Sequence, residues 1–195
     1  NLVAEIVSTS KFQKDNFHRA YAAQDFNGSL VIKPEMFVSE KERKTGENSY
    51  VYLIHPSSVL YFSGFTTGEN SNRDIFKVEL DENGDWGIPE KADDILNTSF
   101  DENYPVLVDN GSTLYFCSKG HNSLGGYDIF RSTLNPETNK FDQPENLGPG
   151  VNSPFDDIVF IPTKDKSYAY FASDRDNLNG SINVYKIRMS ENSNS

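Results

Sequence analysis

Leu114-Tyr115-Phe116-Cys117-Ser118, followed across a Gly-rich loop by Asp128-Ile129-Phe130-Arg131, is the stretch on which the fold of this chain turns. Its first half recurs upstream as Leu60-Tyr61-Phe62-Ser63 and downstream as Ala169-Tyr170-Phe171-Ala172-Ser173. Tyr61 and Tyr115 are therefore 54 residues apart, and Tyr115 and Tyr170 are 55 apart. The second half recurs at the same two offsets, as Asp74-Ile75-Phe76 and Asn183-Val184-Tyr185. Phe100-Asp101-Glu102 returns as Phe155-Asp156-Asp157, and Pro34, Pro89 and Pro144 lie 55 apart. Four anchors on one period define an internal repeat, and such a period marks a repeat architecture. The same slide places Ile6-Val7-Ser8 on Tyr61-Phe62-Ser63, a degenerate match that keeps hydrophobic positions in register. The repeats run over about 1–46 (partial), 47–100, 101–155 and 156–189 (partial), with a polar tail at 190–195.

Within a repeat, β-branched and aromatic runs alternate with turn residues. Tyr50 to Ile54, Val59 to Phe62 and Ile75 to Leu80 read as strands bounded by His55-Pro56-Ser57-Ser58 and by Asp81-Glu82-Asn83-Gly84. A short fourth strand is expected near Asp85 to Ile88, stopped by Pro89. Asn110-Gly111 is a hairpin turn, because both positions accept φ > 0. No stretch sustains a 3.6-residue apolar period, so the chain reads as all-β. Four antiparallel strands in a repeat of this length are the pattern of a β-propeller blade, whose aromatic faces stack on the next blade.

The composition agrees with a small aromatic core. Hydrophobic residues make up 36% of the 195, yet aromatics reach 13%, more than a disordered chain of this polarity carries. The net charge is −11, from 18 Lys+Arg against 29 Asp+Glu, which argues against binding nucleic acid or anionic lipid. The only basic cluster, Lys41, Arg43 and Lys44, is interleaved with Glu40, Glu42 and Glu47 and reads as a solvated polar loop. No apolar run approaches the roughly 18 residues of a membrane helix. Cys117 is the single cysteine, which excludes an internal disulfide and a Cys-based metal cluster and suits cytoplasm or periplasm alike. Without an initiator Met or an apolar leader, and with a polar tail, the sequence reads as a piece of a longer chain.

Candidate chemistry is sparse. His18, His55 and His121 lack ligand spacing to one another or to Cys and carboxylates, so no metal centre is expected from them. Asp81, Asn83 and Asp85 alternate like the start of a calcium loop, but Trp86 and Ala92 stand at its sixth and twelfth positions, which excludes an EF-hand. A looser structural calcium site, here or in the loop 174–180, stays open beside a plain Asx-Gly turn. Asp74 and Asp128, like Asp101/Glu102 and Asp156/Asp157, follow the repeat, which suits tying down strands better than unique catalytic roles. No Gly-x-Ser-x-Gly elbow is present, and Cys117, with Ser63 and Ala172 at equivalent positions, reads as a small buried filler. No cofactor is expected.

Two stretches carry a resemblance: Gly120 through Arg131 after Leu114-Tyr115-Phe116, and Tyr170-Phe171-Ala172-Ser173-Asp174-Arg175-Asp176 before Asn183-Val184-Tyr185. They look like the TolB-type (WD40-like) propeller repeat. The Gly-Gly-Tyr-Asp-Ile-Phe form resembles the propeller of OmpA-family envelope proteins of gliding and type IX-secreting bacteria. The match is good over 47–188 and weak over 1–46, and Asn183 stands where the motif has Asp. The resemblance implies the periplasm at the outer membrane, envelope protein partners, and a peptidoglycan link through domains outside this sequence. It also implies a non-catalytic scaffold linked to secretion or gliding.

The sequence therefore predicts about 3.5 blades of a larger, six-bladed propeller, with a four-bladed ring closed by an N-terminal strand as the alternative. The repeat anchors are Tyr61, Phe62, Asp74, Phe76, Tyr115, Phe116, Asp128, Phe130, Tyr170, Phe171 and Tyr185. The loops Phe65 to Arg73, Lys119 to Gly126 and Asp174 to Ser181 are expected to form one contiguous binding face, with Arg73, His121, Asn122, Arg175 and Asp176 as its candidate contacts. The alternative function is a glycan-binding or glycan-hydrolysing propeller, with Trp86 or an exposed Tyr as a stacking platform.

Overall fold

Strands form where the aromatic and β-branched runs lie, as a computed structural model describing residues 2–21, 24–66, 71–177 and 180–191 shows. Thr67 to Asn70, Leu178, Asn179 and the end of the polar tail, all within expected loops or tail, lie outside the described residues. In chain order the first strands are β1 (Leu2–Gln13), β2 (Gly28–Ile32), β3 (Tyr50–Ile54), β4 (Val59–Phe65), β5 (Arg73–Glu79) and β6 (Glu90–Lys91). The third repeat supplies β7 (Glu102–Val108), β8 (Thr113–Ser118), β9 (Asp128–Asn135), β10 (Lys140–Phe141) and β11 (Glu145–Asn146). The last supplies β12 (Asp157–Pro162), β13 (Tyr168–Ser173) and β14 (Ser181–Glu191). One short helix, α1 (Glu40–Thr45), interrupts the first repeat.

All the sheets are antiparallel, in the orders β10-β9-β8-β7, β12-β13-β14-β1, β4-β5-β6 and β2-β3, with β11 also on β9. The 55-residue period is visible atom by atom. The Asn97 side chain accepts from the Ile75 N–H at 2.7 Å and donates to the Ile75 carbonyl at 3.2 Å. Asn152 clamps Ile129 in the same way, at 2.8 and 2.9 Å. Asp101 accepts the Arg73 N–H and Asp156 accepts the Tyr127 N–H, both at 3.0 Å. β7 and β12 break register at the same place, with Tyr104 at φ 49° and Val159 at φ 54°. A β-branched residue rarely adopts this backbone, so a bulge retained in both repeats is a built feature.

The core follows the anchors. Phe62–Phe76, Phe116–Phe130 and Phe171–Tyr185 are stacked cross-strand pairs with centroids 5.8, 6.0 and 5.2 Å apart. The largest buried cluster joins β12–β14 to Tyr21, Phe26, Tyr50 and Tyr52 of the N-terminal region.

Several expectations are corrected. The sheets are not arranged as a propeller. The reason lies in the pairing: β3 gives its edge to β2 across five residue pairs, so β4 has only β5 as a partner. The degenerate N-terminal match does not build a first sheet, because β1 completes the last one by pairing with β14. The strand expected before Pro89 forms after it, as β6, leaving an isolated Leu80–Trp86 bridge. The basic loop is α1, capped by Ser39 and Glu42 in a reciprocal capping box and ended by Gly46 at φ 68°.

Candidate functional site

The loop face surrounds a cavity of about 850 Å³. Positions that are equivalent under the repeat line it and the small cavity beside it: Asp101 and Asp156, Lys119 and Asp174. Lys14, Lys41, Arg73 and Lys119 face Asp15, Glu47 and Asp101 across it, with Phe65, Tyr104 and Tyr127 as aromatic walls. The ring faces are covered by cations. Lys41 and Arg73 sit 4.3 and 4.4 Å from the Phe65 centroid, and Lys119 sits 4.6 Å from that of Tyr127. Burial pushes the Tyr104 and Tyr127 phenols above the ordinary tyrosine range, so both are neutral hydroxyls.

Exposed apolar residues flank the cavity. Phe100 and Phe155, the third repeat anchor, are 57% and 50% exposed, while Glu102 and Asp157 two positions later are fully buried. The loop 119–126 lies between them. A Cβ on Gly120 would meet Thr98 Oγ1 at 2.3 Å, and one on Gly125 would meet the Pro154 carbonyl at 2.2 Å. Only glycine permits this approach on both sides. The loop carries Leu124, 66% exposed.

The structure separates the five candidate contacts. Arg73 lines the cavity, but its guanidinium is bonded to Glu42 and Glu47 at 2.8 and 2.9 Å. Asn122 is exposed on the loop at φ 64°. Asp176 accepts the Tyr185 hydroxyl at 2.6 Å. Arg175 is drawn inward: it bonds Asp157 at 2.5 Å and Ser173 Oγ at 3.0 Å, and lies 5.3 Å from both the Phe171 and Tyr185 rings. His121 packs on Phe116 and Phe130 at 5.7 and 5.5 Å, with Nε2 3.0 Å from the Leu96 carbonyl oxygen.

Sequence reading missed a polar site that recurs beneath this face. In each repeat a basic side chain covers the stacked aromatic pair and approaches a buried carboxylate. Lys33 lies over Phe62 and bonds Glu42 at 2.6 Å; Arg175 lies over Phe171 and Tyr185 and bonds Asp157; His121 lies over Phe116 and Phe130 near Glu102. Glu102 is held by Thr98 and Ser118 hydroxyls at 2.6 and 2.7 Å. Burial holds the carboxyls of Glu102 and Asp157 above the usual range, partly offset by these hydrogen bonds and, at Asp157, by Ser173 and Arg175. The available signal was the serine shared by the last two repeats, Ser118 and Ser173, whose hydroxyls sit at their sites; the first site uses the Ser63 backbone carbonyl instead, which accepts from Lys33. Arg175→Met is expected to cost about 2 kcal/mol, the scale of a hydrogen bond to a charged group, read from urea unfolding.

Among the described residues no group of three or more His, Cys, Asp or Glu could hold a metal ion. Asp81 accepts the backbone N–H groups of Asn83 and Asp85 at 2.8 and 3.0 Å, which occupies one of its carboxylate oxygens in an Asx turn. Burial raises the Cys117 thiol far above its ordinary range, so it carries no thiolate chemistry. No helix among the described residues is long and apolar enough to cross a membrane. Comparison with protein-family models, curated proteins and solved structures finds no match for this chain.

Proposed function

We propose that the chain is a non-catalytic protein-interaction module, a segment of TolB-type repeats in a periplasmic, outer-membrane-associated envelope protein, and that a partner protein docks on its loop face. One observation carries the docking reading. Phe100 and Phe155 keep the repeat yet stay exposed, flanking Leu124 beside a polar cavity, whereas the other aromatic repeat anchors lie in or against the core. Exposed apolar groups rimmed by polar ones mark interaction surfaces. The envelope placement rests on the resemblance of the repeat.

A sugar-stacking role has less support. Trp86 packs edge-on against Phe37 at 6.2 Å, and the Phe65 and Tyr127 faces already hold cations. The test is a photo-crosslinking residue at position 124, with the same residue at exposed Ile88 as control. Position 124 is expected to capture an envelope protein that position 88 does not. The triple change Phe100→Ser, Leu124→Ser, Phe155→Ser is expected to weaken that association by about tenfold or more, the loss of 1.4 kcal/mol or more at a hot spot. Undiminished association with the triple variant would sink the docking reading.

A further inference from the structure

The large cavity on the loop face is polar, but its acceptors and its donors are not equally satisfied. Asp101 gives one carboxylate oxygen to the Arg73 N–H and the other to Lys119, at 3.0 and 3.3 Å. Glu47 holds the Arg73 guanidinium at 2.9 Å, and Lys14 reaches Asp174 at 3.2 Å. Asp15, whose carboxylate has no partner among the described residues, is exposed to solvent.

What stays open on the walls donates. Lys41 is the one lining cation with no carboxylate partner among the described residues; its ammonium is held by the Ser71 carbonyl at 2.8 Å and by the face of Phe65. Asn103 gives its side-chain oxygen to the Ser63 hydroxyl and the Tyr104 N–H, which leaves its amide hydrogens for the cavity. The hydroxyls of Tyr104 and Tyr127 make no hydrogen bond among the described residues, and burial keeps both protonated, so each has a proton to give. Ser71 Oγ is buried at the same wall without a partner. Polar groups taken out of water are ordinarily bonded, so a cluster of unused donors calls for an acceptor.

Charge points the same way. The chain carries −11, yet this wall sets Lys14, Lys41, Arg73 and Lys119 against only Asp15, Glu47 and Asp101. An acceptor-rich anion fits donors around a local positive excess. A phosphate, with up to two charges, would be repelled by Glu47 and Asp101 about twice as strongly as a carboxylate. The volume, about 850 Å³, falls in the range of sites that enclose a ligand. Phe100, Leu124 and Phe155 beside it suit a segment in which apolar residues flank the acidic ones.

We infer that the cavity is a recognition pocket for an acidic segment of a protein: Asp or Glu carboxylates enter it, pair with Lys41 and accept from Tyr104, Tyr127 and Asn103, while apolar neighbours in the segment cover Leu124 and its flanking phenylalanines. Only the origin of the segment, the docking partner, rests on the reading proposed above.

The test is an NMR titration of the full chain with acetyl-Leu-Glu-Glu-Leu-amide, with acetyl-Leu-Gln-Gln-Leu-amide and inorganic phosphate as comparison arms. The acidic peptide is expected to bind about tenfold more tightly than its glutamine counterpart, the scale of a hydrogen bond to a charged group, and to weaken as salt is raised. Its binding is expected to shift the amides of Arg73, Asn103, Tyr104 and Tyr127. Lys41→Met is expected to remove most of the acidic preference, and Tyr127→Phe, which deletes only a hydroxyl, to weaken binding about threefold. Urea midpoints of both variants keep a loss of binding apart from a loss of fold. Equal affinity for the two peptides, phosphate binding as tight as the acidic peptide, or a preference untouched by Lys41→Met would overturn the pocket. Crosslinking from position 124 reads docking without any peptide, so either idea can fail without the other.

Discussion

Glu42→Gln is expected to cost the protein about 3–5 kcal/mol, the penalty for breaking a buried ion pair on one side only. Glu42 is the shared anion of Lys33 and Arg73, both buried, with contacts of 2.6 and 2.8 Å; it also accepts the Ser49 hydroxyl at 2.5 Å and the Ser39 N–H at 2.8 Å. The amide would leave buried Lys33 without a counter-charge and Arg73 with only the exposed Glu47. Burial alone would raise the Glu42 carboxyl, but hydrogen bonds from Lys33, Ser49 and the Ser39 backbone overcome it and bring it down to about 2. Its stabilisation is therefore complete above the unfolded value of 4.5 and is lost as pH falls from there toward about 2. Urea unfolding at neutral pH reads the first effect, and an acid series, steeper in the wild type than in the variant, reads the second. Replacing the pair together, Lys33→Met with Glu42→Leu, is expected to recover part of the loss, because well-packed apolar groups often replace a buried pair without penalty. A single variant within about 1 kcal/mol of wild type would remove the network from the account of stability.

Phe116→Ala is expected to cost about 3–5 kcal/mol, whereas Phe100→Ala stays within about 0.5 kcal/mol. Both phenylalanines belong to anchors that follow the same 55-residue period. Phe116 is buried in a cluster with Ile75, Leu96, Leu107, Leu114 and Phe130, and truncation opens a cavity that rigid neighbouring strands cannot close. Phe100 stands mostly in solvent and has little to lose on folding. Parallel urea titrations check both values. Equal effects would mean that exposed and buried anchors do the same work, against the division between core and docking face.

The repeat was legible because each anchor carries a local physical demand. Tyr61-Phe62, Tyr115-Phe116 and Tyr170-Phe171 have to place one ring of each pair in a core, and alternation along a strand does so without distant help. The pairing of β3 with β2, and of β1 with β14, has no such local signature, because strand pattern states which face is apolar and leaves the partner open. The burial of Glu42 is similar: its partners Lys33 and Arg73 are 9 and 31 residues away, so the segment read locally as a solvated loop. Ser39 and Glu42 stand at capping-box spacing at the start of α1, a local signal that the reading of this segment as a loop passed over. Of the candidate site, Arg73 and the start of the loop 119–126 were readable, while Lys14 and Lys41 reach the cavity only through tertiary folding.

The pairing of β1 with β14 also sets how the chain would bear a load. Leu2 lies opposite Glu191 and Gln13 opposite Ser181, so tension applied through residues 2 and 191 acts at one end of the ladder. Such a ladder opens like a zipper, one rung after another, and yields at low force. Tension between residue 13 and residue 191 would instead load the rungs together. A module gripped by its first and last strands would thus give way there first, shedding β1 while the hydrogen-bonded ladders of β7–β9 and β12–β14 stay intact.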